Sequence, residues 1–186
     1  MTQPANAALL VIDVQEGLDD PRYGQRNNPD AEKHIADLLA GWRASGRPVI
    51  HIQHMSTNPE SPLRAGEPGN EIKAEARPVA GEPILRKNVN SAFIGTDLEL
   101  RLRTSGISDL VVAGLTTQHC VSTTVRMAAN LGFNVTLVAD ATAAHSASDH
   151  DGNQFDAEMM HRTALASLNG EFASVRNSAE VLAELR

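Results

Sequence analysis

The chain has 186 residues, 41% of them hydrophobic, and a formal net charge of −7, enough to close one domain around a substantial core. That balance excludes nucleic acid and an anionic membrane as main partners, since both need a basic face, and no apolar run reaches the length of a membrane span. The N-terminal MTQPANAALL lacks the regions of a signal peptide, and a single cysteine, Cys120, rules out an internal disulfide, so a reducing cytoplasm is the expected compartment.

Strand and helix patterns alternate along the chain. Ala7 to Val14, AALLVIDV, is the nearly continuous apolar run of a strand buried on both faces, ending on Asp13. A polar loop with Asn27, Asn28 and Pro29 leads into an amphipathic helix from about Asp30 to Ser45, stopped by Gly46. Pro48 to His54 is a second strand. Met55 to Glu82, rich in Pro, Gly, Glu and Asn, has no sustained period; a long irregular segment inside a compact domain is usually functional. Pro83 to Lys87 is extended. Thr96 to Gly106 reads as a helix with a capping box from Thr96 and Glu99. Asn134 to Ala139 is a strand ending at Asp140, Asp156 to Asn169 a helix, Phe172 to Val175 a short strand, and Asn177 to Leu185 a terminal helix capped by Asn177 with Glu180. No repeat, linker or low-complexity tract divides the chain, and the pattern is one doubly wound α/β domain with a mainly parallel sheet.

The stretch Ile107 to Leu131, ISDLVVAGLTTQHCVSTTVRMAANL, carries the chemistry. Leu110 to Ala113 reads as a buried strand broken by Gly114, and a helix-period segment from about Gln118 sets Val121, Val125 and Ala128 on one face. Cys120 is therefore expected in the first turn of a helix that leaves the strand through a tight Gly-Leu-Thr-Thr turn. There the helix dipole and free backbone N–H groups favour thiolate over thiol and can hold an oxyanion. A lone cysteine is often only a small buried hydrophobe. Its place at the C-terminal edge of a parallel sheet, where α/β proteins bind ligands, favours the functional reading.

His119 is its sequence neighbour, but adjacent helical residues do not face one another, which makes it a poor base for the thiol. Asp13 ends a strand on the same sheet edge. An ordinary Asp, with a pKa of about 3.9, is a weak base for a thiol of about 8.5, so a cation has to help. Lys87, ending PILRK, is the candidate, and Arg86 should point to the opposite face of an extended segment.

Three stretches, AALLVIDVQEGL with Asp13, EPILRKNVNSAFIGTDLELRLR with Lys87 and LVVAGLTTQHCVSTTVRMAANLGFNVTLVADATA with Cys120, resemble in that order the isochorismatase-like cysteine hydrolase superfamily, over about residues 7 to 145. The resemblance implies a three-layer α/β/α sandwich with a Rossmann-like sheet and a catalytic triad of Cys120, Asp13 and Lys87. It also implies a non-proline cis peptide joining Leu115 to Thr116, which aims the Thr116 and Cys120 N–H groups at an oxyanion. A small-molecule substrate, and a homodimer or homotetramer whose neighbouring subunits wall the pocket, are implied as well.

Members of the superfamily that keep the cysteine are mostly amidases acting on small non-peptide C–N bonds, whereas true isochorismatases cleave a vinyl ether and some lack the cysteine. Cys120 sets the chain with the amidases, and HMSTNPESPLRAGEPGNEI, SAFIGTDL and TTVRMAANLGF are most similar to the streptothricin-hydrolase-like branch. Nicotinamidases hold a metal on an Asp-x-His pair; here the matching run is His51-Ile-Gln-His54, with no carboxylate and with two histidines directed to opposite faces of a strand. No zinc, iron or other cofactor is expected. Gln15, His54, Phe93 and His119 are the substrate-binding candidates, Phe93 having a stronger reading as core. His145 and His150 read as solvated, with a Cys-His arrangement through His145 left open. Two rival functions remain at this level: a vinyl-ether hydrolase with Asp13 as the acid, and a non-catalytic binding or redox-sensing protein that uses Cys120.

Overall fold

The computed structural model describes residues 4–185. In chain order its strands are β1 (Ala8–Ile12), β2 (Val49–His54), β3 (Ile84–Lys87), β4 (Asp109–Leu115), β5 (Asn134–Ala143), β6 (Ala147–Ser148), β7 (Gln154–Phe155) and β8 (Ser174–Arg176). The helices are α1 (Ala31–Ala44), α2 (Leu98–Thr104), α3 (Ser122–Asn130), α4 (Ala157–Leu168) and α5 (Ser178–Ala183). Six strands form one sheet in the order β3-β2-β1-β4-β5-β8, every neighbouring pair parallel. β6 and β7 make a separate antiparallel hairpin.

The apolar run in β1 is continuous because both sheet faces are covered. Ala8, Leu10 and Ile12 pack with Leu98 and Leu102 of α2 and Val125 and Ala128 of α3. The intervening Leu9 and Val11 pack with Ile35, Leu38 and Trp42 of α1 and Val181 of α5. The two-residue period of a strand thus divides one sequence run between two cores, each large side chain contributing about 1.5–3 kcal/mol by burial. This is the expected three-layer α/β/α sandwich. Its strand order reverses between β1 and β4, and in open α/β sheets a ligand crevice forms beyond the strand ends at such a point.

Four local expectations are corrected. Gly114 does not end β4, which runs on to Leu115, and β5 continues past Asp140 because Thr142 and Ala143 pair with Gly114 and Leu115 beyond a register shift. The Thr96–Glu99 capping box does not form: Thr96 Oγ1 donates back to the Ala92 carbonyl at 2.5 Å, and Asp97 is the N-cap of α2. Phe172 and Ala173 are not strand, because both backbone N–H groups donate to the Leu168 carbonyl and close the end of α4. At α5, by contrast, Glu180 accepts the Asn177 backbone N–H at 2.8 Å, as a capping box requires. The 55–82 segment is irregular as expected, with short 3₁₀ turns at Pro68–Asn70 and Ala74–Ala76.

Candidate active site

Asp13 follows directly on β1 with φ 49°, a left-handed turn that Asp tolerates better than most residues, and only 2% of its surface is exposed. Two strands away, Lys87 ends β3 and buries its side chain completely. Between them β2 ends at His54, in register with Lys87. The Lys87 ammonium donates to Asp13 Oδ2 at 2.5 Å and to His54 Nδ1 at 3.1 Å. An ammonium has no lone pair to accept with, so His54 Nδ1 is the acceptor and the ring proton sits on Nε2. Burial, reinforced by Lys87, holds the His54 pKa down at about 4, so the imidazole is neutral. Arg86 leaves by the exposed face and donates to Gln53 Oε1, the opposed orientation that the extended segment required.

Cys120 comes from the other side of the switch point. The Leu115–Thr116 peptide is cis, as the resemblance implied, and Thr117–Val121 winds as a π-helical turn that runs into α3. Thr117 Oγ1 pairs with His161 Nδ1 at 2.9 Å, tying this turn to α4, while Val121 and Val125 are buried in the core beneath it. Gly114 is required one step earlier: its φ is 126°, and a Cβ there would lie 2.1 Å from the Ile12 carbonyl oxygen.

The half-buried Cys120 Sγ lies 3.7 Å from Asn90 Oδ1. It also lies within 4.8 Å of an Asp13 carboxylate oxygen and a ring nitrogen of His54. Asp13 Oδ1 has no hydrogen-bond partner among the described residues. The pull of the helix end toward thiolate is outweighed. Burial and the Asp13 charge push the Cys120 thiol up to about 12, outweighing Lys87. Burial also raises Asp13 above its ordinary value, against the opposing pull of Lys87. The proton therefore rests on sulfur, beside a carboxylate able to receive it.

These groups open on a cleft of about 350 Å³. Leu18, Tyr23, Leu63 and Leu115 form its apolar wall, and Asn90, Thr116 and His119 complete the polar side with Asp13, His54 and Cys120. A larger groove, about 470 Å³, lies at the opposite sheet edge near Arg47, Glu82 and Leu100 and brings together no such cluster of thiol, carboxylate and imidazole. A metal set of Asp13, His54 and Cys120 would have the geometry of a soft-cation site, but the Lys87 ammonium already occupies hydrogen-bonding positions on two of its three members.

Of the substrate-binding candidates, His54 and His119 line the cleft. Gln15 does not. It is fully buried, its amide donating to the His54 and Asn70 carbonyls and its oxygen accepting the His54 N–H, so it fastens the ends of β1 and β2 beneath the site. Phe93 is core, stacked on Phe133 with centroids 5.8 Å apart. His145 is not solvated: it is 7% exposed and its Nε2 bonds the Leu18 carbonyl at 3.1 Å, away from the thiol. His150 is exposed as expected. Asn90, Tyr23 and Leu63 were not anticipated; they come from loops whose sequence has no period to read. Asn70 was also missed, although it is 6% exposed and donates to both the His54 and Leu63 carbonyls, pinning the irregular segment over the site.

A thiol, a buried carboxylate and an ammonium gathered at the switch point of a doubly wound sheet define a cysteine hydrolase. Residues 7–180 match the Isochorismatase domain family. The chain belongs to the isochorismatase family. A crystal structure of a hydrolase of that family from Chromobacterium violaceum ATCC 12472 superposes with a TM-score of 0.95 at 46% identity, covering 98% of this chain and 95% of the other. A streptothricin hydrolase from Streptomyces noursei is 32% identical over 97% of this chain and 75% of its own length. The ureidoacrylate amidohydrolase RutB from Methylobacterium radiotolerans is 28% identical over 95% and 78%. No helix among the described residues is long and apolar enough to cross a membrane.

Proposed function

We propose that this protein hydrolyses the C–N bond of small non-peptide amides, with Cys120 as nucleophile, Asp13 as proton carrier and Lys87 holding Asp13. The observation that carries the reading is the buried Asp13 carboxylate: one oxygen is tied to Lys87 at 2.5 Å, the other has no hydrogen-bond partner among the described residues, and the Cys120 thiol is within 4.8 Å. As sulfur attacks the amide carbonyl carbon, its proton passes to Asp13 and the carbonyl oxygen becomes an oxyanion facing the Thr116 and Cys120 backbone N–H groups. Asp13 then protonates the amide nitrogen, the C–N bond breaks, and ammonia or an amine leaves a thioester. Water attacks the thioester while giving a proton to Asp13; the C–S bond breaks, the carboxylic acid departs, and sulfur regains the proton. Lys87 keeps the buried carboxylate from being stranded without a counter-charge throughout. The amidohydrolase relative supports the C–N reading.

The test is ammonia or amine release from a panel of small amides, ureides and carbamoyl compounds, wild type against Cys120→Ala, with and without a chelator. Release that requires Cys120 and is indifferent to the chelator is the expected result. Full activity in Cys120→Ala overturns the mechanism.

A further inference from the structure

Among the described residues of the chain, the cleft offers a substrate no free cation. Its ten lining residues include one carboxylate, Asp13, and neither lysine nor arginine. Lys87, the ammonium nearest the chemistry, is fully buried and already donates to Asp13 and His54. Arg26, on the loop that also carries Tyr23, is committed through both terminal nitrogens to Glu32 at 2.6 Å. The imidazoles at the cleft are no substitute: burial lowers the pKa of His119 and holds that of His54 at about 4. Opposite the thiol stand Leu18, Tyr23, Leu63 and Leu115. A carboxylate carried on the acyl group would be desolvated against those side chains and Asp13 with no cation among the described residues to answer its charge.

We infer, resting on the amidase reading above, that the substrate is an uncharged, compact amide. Its apolar acyl group lies against Leu18, Tyr23 and Leu63, and anionic amides of the same size are rejected. The polar groups at the cleft match the amide itself. His54 Nε2–H is a donor whose orientation is set by the Lys87 bond to Nδ1, and Asn90 Oδ1, which accepts from the Cys120 thiol at 3.7 Å, becomes an acceptor for the amide N–H once the thiol proton moves to Asp13.

The charge preference can be read without knowing the substrate, because Cys120 is the one cysteine in the chain. The intact protein is alkylated with iodoacetamide, which is neutral, and with iodoacetate, which is anionic and nearly the same size, and both rates are followed by mass spectrometry. Their ratio is divided by the ratio for free cysteine under the same conditions. The expected result is a preference for the neutral reagent about tenfold or more beyond that of free cysteine. Tyr23→Arg, a change at a half-buried position on the apolar wall, should shrink it at least about threefold by adding a cation, with circular dichroism checking the fold. A ratio equal to that of free cysteine, or favouring iodoacetate, overturns the assignment. Matched amides then separate the two claims. Cys120-dependent ammonia release from succinamate equal to that from isobutyramide refutes the charge selection and keeps the amidase. A strong alkylation preference with no Cys120-dependent release from any amide refutes the amidase and keeps an uncharged ligand.

Discussion

Two of the buried charge clusters among the described residues are built to different rules. Around Glu32 every charge is answered: Arg26 grips the carboxylate with two bonds of 2.6 Å, and Lys73 donates to it and to Asp19 at 2.7 Å each. This clasp joins the start of α1 to the irregular 55–82 segment, and it holds the Glu32 pKa at about 2, its three cation bonds outweighing its partial burial. Around Asp13 the balance is left open. One oxygen is paired with Lys87, the other is not, and burial, instead of being overcome, leaves the carboxyl above its usual value. A saturated ion cluster fixes chain segments; an unsaturated one keeps a proton acceptor in reserve. The difference separates structural charge from reactive charge in a molecule where both are buried.

The sharpest way to break the contrast is to remove Lys87. Lys87→Met leaves Asp13 as a buried, unpaired carboxyl, and kcat should fall at least about 10³-fold while stability in urea drops about 3 kcal/mol. Adding Asp13→Asn to that variant removes the stranded group, so more than half of the stability should return and none of the activity; recovered turnover would mean that neither residue takes part in the chemistry. At the saturated cluster only stability should respond. Glu32→Gln leaves Lys73 and Arg26 with Asp19 as their remaining carboxylate and should cost about 2 kcal/mol, with kcat within about twofold of wild type in the ammonia assay; a large loss of kcat would make this clasp part of the catalytic apparatus.

Acid denaturation should tell the clusters apart again. Glu32 and Glu82 are both held at about 2 against an ordinary 4.5. Their contribution to stability is complete above pH 4.5 and is lost as pH falls from there toward 2. His54, held at about 4 against 6.5, is a base the fold keeps neutral; its contribution is complete above pH 6.5 and is lost between 6.5 and 4. Urea midpoints should therefore begin to fall below pH 6.5 and fall further below 4.5, with Glu32→Gln flattening only the lower limb. The smallest effect is expected at His150, whose exposed side chain pairs with Asp151 at 3.4 Å: His150→Ala should stay within about 0.5 kcal/mol and leave ammonia release unchanged.

The sequence signals that succeeded were those tied to backbone periodicity. The runs at Leu9 and Val111 are apolar on both strand faces because both faces of the sheet are covered, the pattern of central parallel strands. Strand ends then placed Asp13, His54, Lys87 and the turn bearing Cys120 on one edge. What sequence could not convey was how polar groups spend their hydrogen bonds. Thr96 carries the spacing of a capping box yet turns back to Ala92. Gln15 stands beside the site yet is consumed by the backbone of His54 and Asn70. The thiol's ionisation was misjudged for a related reason: the helix terminus was visible, but the depth of burial and the distance to Asp13 were not. Cleft walls such as Leu63 and Tyr23 lie in loops, where no spacing announces an inward side chain.

The close approach of β4 to β1 at Gly114 has a consequence for how this enzyme can be altered. Because a single added carbon at Gly114 would collide with the Ile12 carbonyl, Asp13 and Cys120 are spaced by two backbones in register, Ile12 opposite Gly114, and not by the side chains packed around them. The walls of the cleft are supplied separately, by Leu18, Tyr23 and Leu63 on the connections after β1 and β2. On the proposed mechanism, the reacting pair and most of the apolar wall thus come from different parts of the chain, Leu115 of β4 being the exception. On that mechanism, a directed-evolution library confined to residues 18–24 and 56–64 should search for new substrates with the Asp13–Cys120 spacing kept, whereas one that includes Gly114 should lose that spacing.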